Sequence, residues 1–371
     1  MLAEQGRRVG VFERRPNHRT ERRTLIVTHA LREVLGEISE EIALHHIETM
    51  GVASKRGETT IRLKHPDPIV ERAAMTELLT RQTVEAGAEM FYGWRFKGFD
   101  KAPSESQAGP VKMCFECSKK RSQGKNSGTS VKVSAAEAVI GADGVLSDVA
   151  VASGIGRPPS VPLIQAECPL PAGWDPSNCK VWFRVDETKY FYWLIPESDQ
   201  NCVVGLIGEK GIRVRQLLDR FLGQLGLEPQ AWQASHVAMH HPRLKPWTRI
   251  GNVPVYLAGD AAGQGKVTTV GGTVTGLQGA QAAARAILQG TSYRQELGAM
   301  KRELDLHWWI RWALERLDNQ GYDELVRAVS RGVREFLGKY NRDTMMPVFW
   351  KLPFLEPRLI RVGMQCLAGK G

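Results

Sequence analysis

The chain has 371 residues, of which 42% are hydrophobic and 24% charged, and its formal net charge is +10. This length allows two or three domains with a large core, and the composition is that of an ordinary globular protein. The positive charge favours anionic partners such as phospholipid head groups or pyrophosphates. The basic residues are scattered and no nucleic-acid motif is present, which excludes nucleic acid as the expected partner.

Cysteine usage and hydropathy indicate the compartment. Six cysteines in a chain of this length disfavour a disulfide scaffold and favour a reducing environment. The sequence contains no run of about 18 apolar residues, so it predicts no membrane-spanning helix. Residues 1–6 lack the apolar core of a signal peptide. We therefore expect a cytoplasmic protein.

The first predicted strand covers residues 8–12 and ends at Glu13. In a dinucleotide-binding βαβ unit, an acidic residue at this place hydrogen-bonds the adenosine ribose. Residues 1–6 have the character of the end of a preceding helix. We therefore expect the first strand of the unit, with its G-x-G-x-x-G turn, to lie upstream of Met1. A solvated charge at the strand end is the alternative interpretation of Glu13.

Two helices are predicted in the next part of the chain, over residues 31–38 and from residue 73 to about Gly87. Arg72 stands at the start of the second helix. The helix dipole disfavours a cation there, which is a small argument for an anionic partner near Arg72. A surface arginine is the alternative.

Residues 111–115 and 131–133 predict a hairpin with a polar connecting loop. Cys114 and Cys117 form a C-x-x-C pair, but residues three apart on a strand point to opposite faces. No second pair of cysteines or histidines lies nearby in the sequence, so we expect no metal site.

A buried strand at residues 138–141 is followed by Ala142, Asp143 and Gly144 and then by a short helix. From residue 161 to 249 the pattern becomes that of antiparallel strands, with an amphipathic helix over residues 212–227. Phe191 and Trp193 lie in the aromatic strand Y-F-Y-W-L-I-P. An aromatic stripe of this kind is typical either of a core or of a ligand-contacting face.

The most informative stretch covers residues 253–290. A buried strand leads into Gly259 and Asp260, a glycine-rich loop follows, and a helix of small and apolar residues begins near Thr273. Ligands of α/β sheets bind outside the carboxyl ends of strands, and a helix N-terminus favours negative charge. This order therefore predicts a ligand site; a buried strand–helix unit capped by Asp260 is the alternative.

The C-terminal part, residues 291–371, predicts helices rich in tryptophan. Residues 304–317 carry two apolar stripes, one that includes Trp309 and a second made of Leu304, Trp308 and Trp312. The first stripe suffices to dock the helix on a domain. The second would line a lipid-chain tunnel, contact a membrane surface or simply be buried.

These motifs carry a family resemblance. The G-D-A-A-G turn, the T-T-x-G-G segment and the small-residue helix that follows resemble the second flavin-binding motif of FAD-dependent oxidoreductases, with the sub-pattern of geranylgeranyl reductase-like proteins. That family is related to the p-hydroxybenzoate hydroxylase fold. The Asp143–Gly144 turn resembles the DG motif of the same group. The resemblance covers nearly the whole chain and is strongest at residues 137–147 and 253–290.

The resemblance implies an α/β fold with an FAD-binding Rossmann-like domain, N-terminally truncated here, an inserted antiparallel-sheet substrate domain and a helical C-terminal tail. Residues 1–160 and 251–290 would form the FAD-binding domain. Residues 161–250 would form the substrate domain, and residues 291–371 the tail.

The resemblance also implies the roles of single residues. Asp260, after Gly259, would hold the ribitol chain of FAD, and Gly271, Gly272 and Thr273 would lie under the isoalloxazine. A helix N-terminus there would stabilise the anionic reduced ring.

Asp143 and Gly144 would lie beside the pyrophosphate, Arg72 near the FAD or the substrate cleft, and Phe191 or Trp193 against the substrate. We assign no catalytic acid or base from the sequence.

The function implied is an FAD-dependent oxidoreductase that reduces carbon–carbon double bonds of an isoprenoid lipid. NAD(P)H or reduced ferredoxin would be the electron donor, and peripheral membrane contact would suit a lipid substrate. One alternative is a flavin monooxygenase or halogenase on the same fold. Another is a non-catalytic relative that binds FAD weakly.

Overall fold

A computed structural model describes residues 1–17, 22–100, 109–117, 131–209 and 211–367. The strands in these ranges are β1 (Gly10–Glu13), β2 (Thr24–Ile26), β3 (Ala43–Ala53), β4 (Glu58–Glu71), β5 (Glu89–Tyr92), β6 (Trp94–Phe99), β7 (Val111–Cys117), β8 (Val131–Ala136), β9 (Val139–Gly141), β10 (Ser160–Pro169), β11 (Asn178–Trp182), β12 (Tyr192–Pro196), β13 (Asn201–Ile207), β14 (Ala231–Ala238), β15 (Trp247–Ile250) and β16 (Val253–Leu257).

The α-helices in the same ranges are α1 (Leu31–Leu35), α2 (Ile38–Glu41), α3 (Arg72–Glu85), α4 (Asp148–Ala152), α5 (Val214–Leu225), α6 (Thr273–Gln289), α7 (Tyr293–Glu296), α8 (Gly298–Leu314), α9 (Asn319–Ala328), α10 (Arg331–Lys339), α11 (Met346–Leu355) and α12 (Arg358–Leu367). Two 3-10 turns, Ala3–Gln5 and Gly259–Ala262, complete the described elements.

Short parallel pairings hold the strands that carry the predicted ligand motifs. Strand β1 pairs in parallel with β5, and β9 pairs in parallel with β16, which β15 extends on its other edge. The strands β6, β7 and β8 form a separate antiparallel sheet, which contains the predicted hairpin. The polar loop predicted between β7 and β8 lies outside the described residues. Phe12 of β1 and Val139 of β9 belong to one apolar cluster, so these small sheets share a core.

The largest sheet has eight strands in the order β14-β10-β13-β12-β11-β3-β4-β2. Its pairings are antiparallel except for that of β11 with β3. Strands β10 to β14, from the region of residues 161–249 predicted as antiparallel, form one part, and β2, β3 and β4 from the N-terminal part of the chain form the other. The predicted amphipathic helix is α5, which buries Leu218, Phe221 and Leu222 against this sheet.

The C-terminal part is helical, as predicted, but its apolar stripes are used differently. On α8, Leu304 and Leu306 are buried, whereas Trp309, assigned to the docking stripe, is 56% exposed. Trp308 packs on the cluster that contains Phe191 and Trp193. The predicted docking stripe is therefore wrong at Trp309, because this residue lies on the solvent-facing side of α8. In the described ranges, no helix is both long and apolar enough to cross a membrane.

Helix α10 lies directly on strand β4, and a glycine makes this approach possible. A Cβ atom added at Gly338 would overlap the carbonyl oxygen of Arg62 on β4. We expect Gly338→Ala to lower the free energy of unfolding by roughly 1–3 kcal/mol, because the main chain of β4 must shift. Urea unfolding measures this change.

Gly332 provides the matched control on the same helix, since a Cβ there meets nothing within 4 Å. Gly332→Ala should leave stability unchanged or raise it by up to about 1 kcal/mol, because alanine favours helix more than glycine does. Equal effects of the two substitutions would contradict the close approach of α10 to β4.

Candidate functional site

The site is built at the end of strand β16. Its side chains alternate, with Val253, Val255 and Leu257 buried in the shared core. The chain then makes one 3-10 turn that contains Asp260 and is bounded by Gly259 and Gly263, both in the left-handed region at φ 63° and 65°. Glycine adopts this conformation without strain, so the strand can reverse within a few residues.

The turn is fixed by a residue that the sequence analysis missed. Gln264 accepts a hydrogen bond from the main-chain N–H of Gly259 at 2.7 Å and donates one to the hydroxyl of Tyr293 at 3.2 Å. The Gln264 side chain occupies the space that a Cβ at Gly279 would fill. The sequence sign of this residue was a glutamine between two glycines, directly after the Asp260 turn.

Helix α6 begins with an open N-terminus. Its N-cap residue is Gly272, and no side chain caps the helix. The first turn of a helix leaves main-chain N–H groups without intrahelical partners, and its dipole favours negative charge. Val270, just before the two glycines, has φ 54°, a conformation found at no other non-glycine residue in the described ranges. Strain of this kind in a β-branched residue is typical of functional loops.

The two glycines at the helix mouth form a cradle. A Cβ at Gly272 would lie 3.4 Å from the Cα of Gly265 and 3.6 Å from Oδ1 of Asp260. One turn later, a Cβ at Gly276 would lie only 3.1 Å from the Cα of Gly259. The glycines therefore bring the Asp260 turn and the helix mouth together, as the sequence predicted for a ligand site.

Two arginines share the electrostatic environment of Asp260. Burial raises the pKa of the Asp260 carboxyl, and the positive charges of Arg23 and Arg72 oppose this rise. The two arginines are joined at their main chains, since the N–H of Arg72 donates to the carbonyl of Arg23 at 3.0 Å. Within the described part of the chain, no residue donates a hydrogen bond to the Asp260 carboxylate. A half-buried carboxylate beside two cations suits a ligand with both hydroxyl and phosphate groups.

Arg72 is the first residue of α3, as predicted, and Glu71 caps that helix. The Glu71 carboxylate accepts hydrogen bonds from the N–H groups of Ala73 and Ala74 at 3.0 and 2.9 Å, and from that of Arg23 at 2.9 Å. Glu71 therefore offsets the unfavourable position of a cation at the helix start. Arg23 was missed because one arginine of a basic stretch before a three-residue strand carries no motif.

The other predicted cofactor residues lie at strand ends. Glu13 ends β1, where its carboxylate accepts a hydrogen bond from the N–H of Arg15 at 2.8 Å. Asp143 follows β9 and accepts hydrogen bonds from the hydroxyl of Ser147 and from the N–H groups of Asp148 and Val149. This carboxylate therefore stabilises the start of α4, as an ordinary structural residue at a helix start would. Gly144 has φ 81°, which requires glycine in practice.

Phe191 and Trp193 form an aromatic face over the glycine-rich loop. Both are buried, and they belong to one apolar cluster with Val267 and Val270 of that loop. Trp193 lies opposite Gly205 on β13, and a Cβ at Gly205 would overlap the indole. The structure thus brings the predicted aromatic strand to the predicted helix mouth.

Several buried polar atoms around this loop have no hydrogen-bond partner among the described residues. They include Nε1 of Trp193, Oγ1 of Thr269 and Nε2 of His307. Native proteins leave few buried polar atoms unsatisfied, because each costs about 1–3 kcal/mol. A polar ligand or ordered water near the loop would supply the hydrogen bonds that these three atoms lack.

A buried ion pair lies beside the mouth. Lys266 in the glycine-rich loop pairs with Asp343 from the segment between α10 and α11, and the hydroxyl of Thr28 donates to the same carboxylate. Burial alone would raise the pKa of Asp343, but the charge of Lys266 and these hydrogen bonds hold it below its ordinary value. The Lys266 side chain reaches within 3.6 Å of where a Cβ of Gly271 would stand. The sequence sign of Lys266 as a site residue was its charge within a loop of small residues.

A cleft of about 550 Å³ opens between α6, α8 and the start of α11. Its lining is mixed: Lys266, Asp343 and His307 are among its many polar side chains, and Met300, Leu304 and Met346 are among its apolar ones. The ring of His307 contacts the hydroxyl of Thr268, and burial, with the charge of Lys266, lowers its pKa to about 4. His307 is therefore neutral near pH 7. The described residues contain no cluster of three or more acidic, histidine or cysteine side chains that could hold a metal ion.

The residues at the mouth fit an FAD. The uncapped helix start suits a flat ring that carries negative charge at one edge. Gly271 and Gly272, which have no side chains, would let such a ring approach the main chain closely. The Asp260 carboxylate suits ribitol hydroxyls, and Arg23 and Arg72 suit a pyrophosphate. The unpartnered Thr269 hydroxyl and Trp193 indole offer further polar contacts.

Solved structures of similar fold include proteins that are named as flavin-dependent enzymes or flavoproteins. The chain is similar to a geranylgeranyl bacteriochlorophyll reductase-like protein from Thermoplasma acidophilum, at 18% identity and a TM-score of 0.76, with 97% of this chain and 94% of that chain covered. It is similar to the flavin-dependent brominase Bmp2 at 14% identity and a TM-score of 0.56, covering 99% and 89%. It is also similar to a flavoprotein/dehydrogenase from Cytophaga hutchinsonii at 12% identity and a TM-score of 0.61, covering 99% and 95%.

No protein-family model matches the chain, and no curated protein matches it in sequence. At these identities the structural likeness shows a shared fold. The fold class predicted from the sequence, an α/β flavoprotein-type fold with an antiparallel sheet and a helical C-terminal region, is therefore confirmed.

Proposed function

We propose that this chain is an FAD-dependent oxidoreductase. The observation that carries the proposal is the open, glycine-lined start of α6, which faces the Asp260 carboxylate and lies below the aromatic face of Phe191 and Trp193. Strain at Val270 and the unpartnered polar atoms around the loop support it. A structural core alone would require neither feature.

The residues that would hold the cofactor follow from their chemistry. Asp260, with Gly259, would bind the ribitol hydroxyls, and the main chain of residues 271–273 would lie against the ring. Arg23 and Arg72 would neutralise the pyrophosphate, with Asp143 and Gly144 beside it, and Glu13 would bind the adenosine ribose. Bound FAD would supply two-electron transfer, while the protein orients the substrate and stabilises charge on the ring.

We further propose that the substrate is an isoprenoid lipid whose carbon–carbon double bond is reduced, with NAD(P)H or reduced ferredoxin as electron donor. The name of the reductase-like protein from Thermoplasma acidophilum supports this class. The lining of the cleft beside the mouth is mixed, and its apolar side chains, including Leu304 and Met346, would contact a hydrocarbon chain. In this scheme residues 1–160 and 251–290 form the FAD-binding domain, residues 161–250 the substrate domain and residues 291–371 the tail.

An anaerobic assay tests the proposed reaction. The FAD-loaded protein, reduced with dithionite, is incubated with a geranylgeranyl lipid, and the product is analysed by mass spectrometry. We expect a gain of two hydrogen atoms for each reduced double bond, and no change with dithionite and FAD alone. A flavin-loaded protein that leaves the lipid unchanged would contradict the substrate class but not the cofactor.

A monooxygenase or halogenase is the second candidate, favoured by the likeness to the brominase and by the aromatic strand over the helix mouth. Oxygen consumption distinguishes the two reactions. An aromatic substrate that stimulates oxygen uptake by the FAD-loaded protein, together with a hydroxylated or halogenated product, would favour this candidate over the reductase.

A further inference from the structure

The last two helices expose an unusual amount of apolar surface. Their exposed large hydrophobic side chains are Phe349, Trp350, Phe354, Leu355, Ile360 and Met364. Trp350 is 68% and Phe354 88% exposed, and these two residues, four apart on α11, share one face. Exposed large apolar residues scattered singly are normal, but a cluster on two adjoining helices indicates an interaction surface.

These side chains are not needed to dock the helices on the protein. Helix α11 buries Val348, and α12 buries Val362 and Cys366, which pack on a cluster with Leu317 and Tyr322. Ile360 and Met364 lie on the opposite side of α12 from Val362 and Cys366, given the spacing of a helix. The helices therefore have one apolar face turned inward and another turned to solvent.

The charged side chains within these two helices have one sign. The sequences of α11 and α12 contain Lys351, Arg358 and Arg361 and no acidic residue. Glu356 between the helices is buried, and its carboxylate pairs with Arg358 at 2.6 and 2.8 Å. Lys351 and Arg361 are exposed and have no ion-pair partner among the described residues. The apolar face is thus accompanied by uncompensated positive charge.

We propose that the α11–α12 surface docks on an anionic lipid bilayer. Aromatic and aliphatic side chains flanked by Lys and Arg, with low local acidity, are the composition of helices that lie in a membrane interface. A second copy of this chain would bring the same positive charges together, whereas anionic head groups complement them. This surface replaces the Trp308–Trp312 stripe of α8 as the membrane contact, because Leu304 of that stripe is buried.

The membrane surface would also adjoin the cleft. Met346 and Pro347, at the start of α11, line the same cleft as Lys266 and His307. A bilayer bound to α11 would therefore lie beside this cleft. The docking proposal stands on the exposed residues alone and does not depend on the flavin chemistry.

Vesicle sedimentation tests the proposal with the full chain. We expect the native protein to bind phosphatidylcholine vesicles that contain phosphatidylglycerol, and to bind less as salt is raised. The double substitution Trp350→Ser/Phe354→Ser should weaken binding by at least about tenfold, because two side chains no longer enter the bilayer. Lys351→Glu/Arg361→Glu should weaken binding to anionic vesicles by about tenfold or more.

Trp309→Ser is the matched control, because Trp309 is exposed on α8 outside this surface. Its vesicle binding should equal that of the native protein. Absence of binding to the vesicles that contain phosphatidylglycerol, or unchanged binding after Trp350→Ser/Phe354→Ser, would overturn the proposal. A dimer in solution that the same double substitution dissociates would also overturn it, since a second copy would then cover the surface.

Discussion

Replacing Asp260 with alanine is expected to weaken FAD binding by about 10- to 100-fold, because hydrogen bonds to a charged group are each worth roughly 1.5–3 kcal/mol. The carboxylate lies 3.6 Å from where a Cβ of Gly272 would stand, so it faces the helix mouth. Loss of the carboxylate also removes a negative charge that interacts with Arg23 and Arg72. Equilibrium titration followed by flavin fluorescence measures the dissociation constant.

Asp219→Ala is the matched control, since Asp219 is an exposed aspartate on α5 that pairs with Arg215 within its own helix. Its flavin affinity should equal that of the native protein. Thermal unfolding of each variant without FAD separates loss of binding from loss of fold. A folded Asp260→Ala protein with native affinity would show that Asp260 has no part in the site.

Replacing Lys266 with methionine is expected to cost about 3–5 kcal/mol of unfolding free energy, because it leaves a buried carboxylate without its cation. Asp343 is enclosed by Lys266 and Thr28, and both side chains of the ion pair are buried. The double substitution Lys266→Met/Asp343→Leu should recover much of this loss, since no buried charge then remains. Urea unfolding measures all three proteins.

Lys180→Met is the matched control, because Lys180 pairs with the exposed Glu58 on the surface of the large sheet. Such a pair contributes at most about 1 kcal/mol. If Lys266→Met lowers the free energy of unfolding no more than Lys180→Met does, the buried pair does not stabilise the contact between the segment that carries Asp343 and the glycine-rich loop.

The loss of unfolding free energy caused by Lys266→Met should also depend on pH. In the native protein the pKa of Asp343 is below its ordinary value, so this group contributes stability above the pKa of the unfolded carboxyl. That contribution is lost as the pH falls through the folded-state pKa. In the variant, acid protonates the uncompensated Asp343 carboxylate and removes its penalty. The difference between the two proteins should therefore shrink as the pH falls, and a constant difference would contradict this account.

The parts of the fold that the sequence predicted well are those with a local pattern. Strand β16, the turn with Asp260 and helix α6 follow from an apolar run, glycines and small residues at helical spacing. The strands of the large sheet between residues 160 and 238 follow in the same way. The participation of β2, β3 and β4 in that sheet could not be predicted, because strand pairing at long sequence separation depends on tertiary contacts rather than on local pattern.

The sequence identifies candidate site residues where one motif holds them together, and their binding role stays a prediction. Arg23, Lys266 and the pairing of Asp343 were not predicted, because their roles arise from residues far apart in the chain. Asp343, for example, meets Lys266 across 77 positions. Trp309 was misplaced because two apolar stripes on one helix leave its orientation open, and packing on neighbouring elements decides it.

A crystal structure of the protein grown with FAD tests the central claim most directly. We predict the isoalloxazine at the start of α6, against Gly271 and Gly272 and below Phe191 and Trp193, with ribitol hydroxyls bound to the Asp260 carboxylate. Clear density for the flavin at another place, or a helix start closed by the side chains of Lys266, Asp343 and Thr28 with no flavin bound, would contradict the account.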